Sequence, residues 1–154
     1  MTTISELDTR SLRAISEAFR AAPAPTLDAL VGEHEGEAVG PLWLTAPAPL
    51  TLWLTGMGGW CGKTFQSGGD EIAGTNRVRR NGKVESSIPM TARIGASRID
   101  GKPAIIVSYP KDARFPWRRV TDELRPLNDD TLLGLTWGIP GGPASGTPFL
   151  LRRR

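Results

Sequence analysis

Gly32-Glu33-His34-Glu35-Gly36-Glu37-Ala38 is the stretch on which the fold turns. Glu33, Glu35 and Glu37 alternate with His34, Gly36 and Ala38, a period of two. Successive side chains of a strand point to opposite faces. Three carboxylates cannot comfortably share a buried face, so they are expected in water, and His34 is expected to point inward. A second string, Gly58-Gly59-Trp60-Cys61-Gly62, has the same shape as Gly32 to Gly36: Gly-x-(ring)-x-Gly. Glycine lets a backbone pass close to a large ring. Such strings suit the closed end of a small β-barrel, where a planar side chain plugs the floor of a cavity.

Outward from these strings the chain reads as a meander. Trp60 to Gln66 is a strand candidate. Ile72 to Arg80 and Lys83 to Met90 flank Asn81-Gly82, a strong type I′ hairpin signal. Ala92 to Ile99 and Lys102 to Tyr109 flank Asp100-Gly101 in the same way. Arg119 to Leu127 and Thr131 to Trp137 flank Asn128-Asp129-Asp130. A Gly/Pro loop from Gly138 to Thr147 leads to a last strand, Phe149 to Arg153. Eight to nine antiparallel strands at hairpin spacing predict an all-β, up-and-down barrel.

Upstream the period is helical. Leu12, Ile15 and Phe19 share one face, Ser11 and Asp8 are cap candidates, and Pro23 ends the helix. Thr26 to Leu30 adds one more turn. This assigns residues 1–25 to a short N-terminal helix with its connector and residues 26–154 to a single barrel domain. Pro41 to Thr55 is apolar and broken by Pro47 and Pro49; it reads equally as a helix, a strand or a lid over the barrel mouth.

Composition narrows the function. Hydrophobic residues make up 39% and charged residues 23% of 154, as in a globular chain rather than a disordered one. One cysteine, Cys61, rules out an internal disulfide and a cysteine-based zinc cluster. The N-terminal segment is charged and lacks an apolar signal core, and no stretch approaches the ~20 apolar residues of a spanning helix. A soluble cytoplasmic protein without a membrane partner is expected, and a homodimer stays open. The formal charge of +3 is concentrated in Arg77, Arg79 and Arg80 and in Arg152-Arg153-Arg154. No nucleic-acid motif accompanies these clusters, so they read as a solvated hairpin edge and tail.

Two strings carry a family resemblance. Leu30-Val31-Gly32-Glu33-His34-Glu35-Gly36 resembles the naming motif of the GXWXG domain family, and Gly59-Trp60-Cys61-Gly62-Lys63-Thr64-Phe65 resembles its second signature. Arg119 to Arg125, Asp130 to Gly134 and Phe149 to Arg152 are similar to the domain of unknown function that usually follows. Together the likeness spans residues 28 to 153. It implies a lipocalin-like, or calycin-like, barrel. Related barrels hold fatty acids, haem or other apolar molecules, and some small bacterial barrels are cyclases of natural-product biosynthesis. The departure is His34, which stands where the motif has Trp.

His34, the only histidine, is the candidate catalytic residue. Three roles are open to it: acid or base, haem ligand, or a neutral ring hydrogen-bonded at the barrel floor. His34, Trp53, Trp60, Tyr109 and Trp137 are the candidate ligand-binding residues. Lys63, Arg93 and Arg98 would orient a polar ligand group if they face inward. Cys61 alternates with Trp60 and reads as an inert thiol. No cofactor other than haem and no metal is expected. The expected function is binding of a small, largely apolar, even polycyclic molecule in the cavity. The alternative is a cyclase or isomerase that holds its substrate in a reactive shape, with His34 moving the proton.

Overall fold

The computed structural model describes residues 6–154; the first five residues of the N-terminal segment lie outside them. Eight strands close into one antiparallel barrel: β1 Gly32–Ala38, β2 Trp60–Phe65, β3 Glu71–Arg80, β4 Lys83–Ala96, β5 Pro103–Ser108, β6 Thr121–Pro126, β7 Thr131–Trp137 and β8 Thr147–Arg153. Each strand pairs with the next, and β8 returns to β1 through Gly36↔Leu151 and Ala38↔Phe149. This is the lipocalin-like up-and-down barrel, and closure leaves no free sheet edge.

The strand count is eight because the segments expected at 83–90 and 92–99 are one strand. The β3–β4 register passes from Thr75↔Pro89 to Asn76↔Ser87, leaving Ile88 as an extra residue with φ +44°. A bulge lets a strand bend without ending it. The Asn81-Gly82 hairpin has positive φ at both residues, +52° and +76°, as a type I′ turn requires. Asp100-Gly101 differs from its expected two-residue turn. It lies in a wider loop closed by Ser97 N–H donating to the Lys102 carbonyl at 2.9 Å, and its Asp100 carboxylate is taken by Arg125.

An alternation of wet and dry faces holds on β1. Glu33, Glu35 and Glu37 are exposed, and His34 is 1% exposed. The three glutamates meet the C-terminal arginines: Arg152 pairs with Glu37, and Arg154 approaches Glu33 and Glu35 at 3.6 Å. Strands β5 to β8 are dry on both faces along their middles. The inner face of the barrel carries Phe65, Val78, Met90, Ile105, Val107, Leu124, Leu132 and Leu151. On the outside, α1 (Leu12–Ala21) lays Ile15, Ala18 and Phe19 over Ala104, Ile106, Leu133, Leu135 and Leu150. Its N-cap is Ser11, whose hydroxyl accepts from Ala14 N–H at 3.1 Å.

The barrel has two unlike ends. At one, a 3₁₀ turn, Leu27–Ala29, and the buried Leu30 close the floor. At the other, two short helices, α2 Leu42–Thr45 and α3 Ala48–Leu54, form a lid, which resolves the ambiguous segment. Neither lid helix contains a fully buried residue. The lid is tied down at its exit, where Thr55, Leu54 and Gly56 carbonyls accept from Trp117 Nε1 at 2.7 Å, Arg114 Nη2 at 3.2 Å and Arg80 Nη2 at 3.1 Å.

Candidate functional site: a buried ammonium beneath an aromatic pocket

Large rings fit inside a narrow barrel only where the facing wall is bare. Phe149 lies against Gly134 and the Trp60 ring against Gly36, where an added Cβ would collide with the ring. The two rings meet edge-on with centroids 5.9 Å apart. The two Gly-x-(ring)-x-Gly strings are thus neighbours in space. The ring over Gly36 comes from Trp60 on β2, so position 34 is free to hold a histidine.

Between the lid and these rings is a cavity of about 260 Å³. Trp43, Leu44, Leu52, Met57, Trp117 and Ile139 form its apolar walls. Its polar side is built from inward-facing Lys63, Tyr109, Asp122 and Thr136, backed by Asn76.

Lys63 is the hub. Its Nζ donates to Asn76 Oδ1 at 2.8 Å and Tyr109 Oη at 3.0 Å, and lies 3.2 Å from Asp122 Oδ2. A third hydrogen bond goes to Met90 Sδ at 3.6 Å. The contact to Asp122 is ionic rather than an aligned hydrogen bond, since Oδ2 has no hydrogen-bond partner of good geometry. The rings of Tyr109, Phe149 and Trp60 surround the charge at 5.6, 5.7 and 5.9 Å. Thr136 Oγ1 donates to the other oxygen, Asp122 Oδ1, at 2.8 Å.

Asn76 is oriented by the bulge. Its Nδ2 donates to the carbonyl of Ile88, the bulged residue, at 3.0 Å, which turns Oδ1 toward Lys63 and toward Trp60 Nε1 at 3.2 Å. Local backbone irregularity thereby aims a side chain into the site.

Charge states follow from these neighbours. Burial works against the Lys63 ammonium, but the Tyr109 oxygen and the Asp122 carboxylate outweigh it and hold its pKa above the ordinary value. Burial, reinforced by the Asp122 carboxylate, pushes the Tyr109 phenol up despite Lys63, so it stays protonated at neutral pH.

Of the residues expected from sequence to bind ligand, Trp60 and Tyr109 line the cavity. Three do not. Trp53 is 68% exposed on the outer side of α3, because the lid turns Leu52 inward instead. Trp137 lies on the outer barrel face with Leu133 and Leu135; its Nε1 donates to Ala144 and Arg98 stacks on it at 4.5 Å. His34 faces inward as expected, but two steps deeper than Gly36 and four deeper than Ala38, outside the residues that line the cavity. Burial, then the Arg153 charge, depress its pKa against hydrogen bonding to the Ala29 and Gly32 backbone carbonyls, and its Nδ1 is unpartnered. Arg93 and Arg98 are exposed, and Cys61 is half-buried at the register shift of β2. Among the described residues no cluster of metal-ligating side chains occurs.

The residues not anticipated are Asn76, Asp122, Thr136, Trp43 and Trp117. Only parity hints at Asp122, which shares a face with Leu124; Thr136 likewise shares one with Gly134 and Leu132.

No family model matches the chain, and no curated protein does. Among solved structures it is similar to a protein from Thermomonospora curvata known from its crystal structure. The TM-score is 0.61 and the identity 23%, over 92% of this chain and 86% of that one, a likeness that carries the fold.

Proposed function

We propose that this barrel binds a small, largely apolar molecule beneath its α2–α3 lid. The observation that carries this reading is the cavity itself: aromatic and aliphatic walls that converge on one buried polar set. Three of the five tryptophans, Trp43, Trp60 and Trp117, line it. Burying apolar surface against them yields roughly 25 cal/mol per Å². The lid, charge-free from Ala38 to Gly62 and without a fully buried residue in either helix, is the entry route. The likeness of residues 28–153 to the GXWXG family points the same way. Arg152 and Arg154 are engaged by Glu33, Glu35 and Glu37, and Arg153 by the Ala29 and Val31 carbonyls, which supports a reading without nucleic acid.

A second reading, cyclisation or isomerisation of such a molecule, is favoured by the ammonium–phenol contact at the cavity wall. In that reading the proton belongs to Tyr109 rather than to His34.

Tryptophan fluorescence tests the first reading. Titration with N-phenyl-1-naphthylamine is expected to give a saturable, one-site response. Absence of saturation with this probe and with a panel of one- to three-ring hydrocarbons overturns it.

A further inference from the structure

The polar set can be counted donor by donor. Lys63 donates to Asn76 Oδ1, Tyr109 Oη and, at 3.6 Å, Met90 Sδ, with Asp122 as its counter-charge. Asn76 spends its amide on Ile88 and, at 3.5 Å, on Tyr109 Oη, and its oxygen accepts from Lys63 and Trp60. Thr136 donates to Asp122. Tyr109 Oη thus receives two donors, while its own hydrogen has no acceptor among the described residues. The side chain is 8% exposed and lines the cavity. A buried hydroxyl hydrogen without an acceptor costs free energy until something supplies one. The cavity is the place from which it comes.

The charge count restricts what supplies it. Lys63 and Asp122 neutralise one another, so the site offers no net positive charge to a buried carboxylate. A neutral oxygen acceptor meets the free donor without adding a charge. The donor is also polarised, because an ammonium sits 3.0 Å from its oxygen.

We infer that the molecule held in this pocket is an apolar carbonyl compound, a ketone or enone, whose oxygen accepts the Tyr109 hydroxyl hydrogen. This rests on the pocket being a ligand site as proposed above, and it names the class of ligand. The elevated phenol pKa fits the role, since the hydrogen stays on the oxygen. Lys63 is a positioning residue here: it fixes and polarises the hydroxyl and has no hydrogen left for the ligand.

Three probes of one shape make the test: 2-acetylnaphthalene, 2-ethylnaphthalene and 2-naphthoate, titrated calorimetrically into the intact protein and into Tyr109→Phe. The ketone is expected to bind about tenfold more tightly than the hydrocarbon, and the carboxylate most weakly. In Tyr109→Phe the ketone loses its advantage and binds no more tightly than the hydrocarbon does to the same variant, and a cooperative thermal unfolding transition shows that the variant folds. The carbonyl stretch of the bound ketone shifts to lower frequency in the wild type and not in the variant. Equal binding of ketone and hydrocarbon by the wild type overturns the inference and leaves the pocket standing. Tightest binding by the carboxylate overturns it too. Failure of all three probes to bind removes the pocket reading and this inference together.

Discussion

Strand β6 carries buried charges on both faces of the barrel wall, and two of opposite sign, Arg125 and Asp122, differ in their surroundings. Arg125 points outward beneath α1. It meets Asp100 through Nη1 at 2.8 Å and Nη2 at 2.7 Å, and gives its remaining hydrogens to the carbonyls of Pro103, Phe19 and Lys102. All five donors are used, and the guanidinium lies over the Phe19 ring at 4.6 Å. Asp122, three residues earlier, points inward to Lys63, a point charge among acceptors beside a cavity. The outer pair is closed and fastens a helix to the barrel. The inner pair borders open space and leaves one hydroxyl hydrogen unspent. A saturated fork marks structure; an incomplete one beside a cavity marks a place for a ligand.

The largest effect is expected at the closed pair. Arg125→Ala removes the cation from Asp100 and the anchor from Phe19, and should cost about 3–5 kcal/mol in urea unfolding. Arg125 holds the Asp100 carboxyl well below the usual carboxylate range through its hydrogen bonds. A depressed acid pKa stabilises the fold above about pH 4 and loses that contribution as pH falls toward the folded value. Asp100→Asn should therefore flatten the acid end of the stability profile. A variant at Arg125 that lost ligand binding but kept stability would erase the contrast between the two pairs.

At the inner pair the expected cost is smaller. Lys63→Met leaves Asp122 without its cation, but Asp122 keeps the Thr136 hydroxyl and borders the cavity, so a loss of about 1–3 kcal/mol is expected. Adding Asp122→Leu should recover most of this, because an apolar pair of similar volume replaces a buried ion pair at little cost. The double variant should bind 2-acetylnaphthalene no better than 2-ethylnaphthalene, since the Tyr109 hydroxyl is no longer held. Full stability in the single variant would show that the pair is already hydrated and no more buried than a surface contact.

The smallest effect is expected at His34. Its depressed pKa means that, below pH 6.5, the unfolded chain binds protons that the folded chain does not. Stability therefore falls as pH drops from 6.5, and His34→Gln should remove that slope. Probe affinity in His34→Gln should stay within about twofold of wild type, since the ring does not line the cavity. A loss of affinity or activity on the scale of an acid–base residue, about 10²–10⁴-fold, would return His34 to the site.

The barrel was legible because its signals are local. Alternation in Gly32 to Ala38 turned Glu33, Glu35 and Glu37 outward and His34 inward, and Asn81-Gly82 called for the left-handed pair that a type I′ turn contains. The helical face of Leu12, Ile15 and Phe19 with its Ser11 cap needed only one turn's worth of neighbours. The bulge at Ile88 was hidden, because an extra residue in one strand is defined only by its partner.

The site was legible only in part, for the same reason: Trp60 and Tyr109 were expected in the pocket, and Asn76, Asp122 and Thr136 were not. In a sequence Lys63, Asn76, Tyr109, Asp122 and Thr136 are polar residues of five separate segments, and a charged residue in a strand reads as solvent-facing. Asp122 and Glu123 look alike side by side, yet one faces the cavity and the other lies buried on the opposite face beside Arg98. Sequence by itself determined the periods, the turns and the side of the wall on which His34 falls, because these depend on residues two to four apart. Only barrel closure decided that an ammonium, a phenol and a carboxylate meet under a tryptophan-lined lid, because that depends on register carried around eight strands.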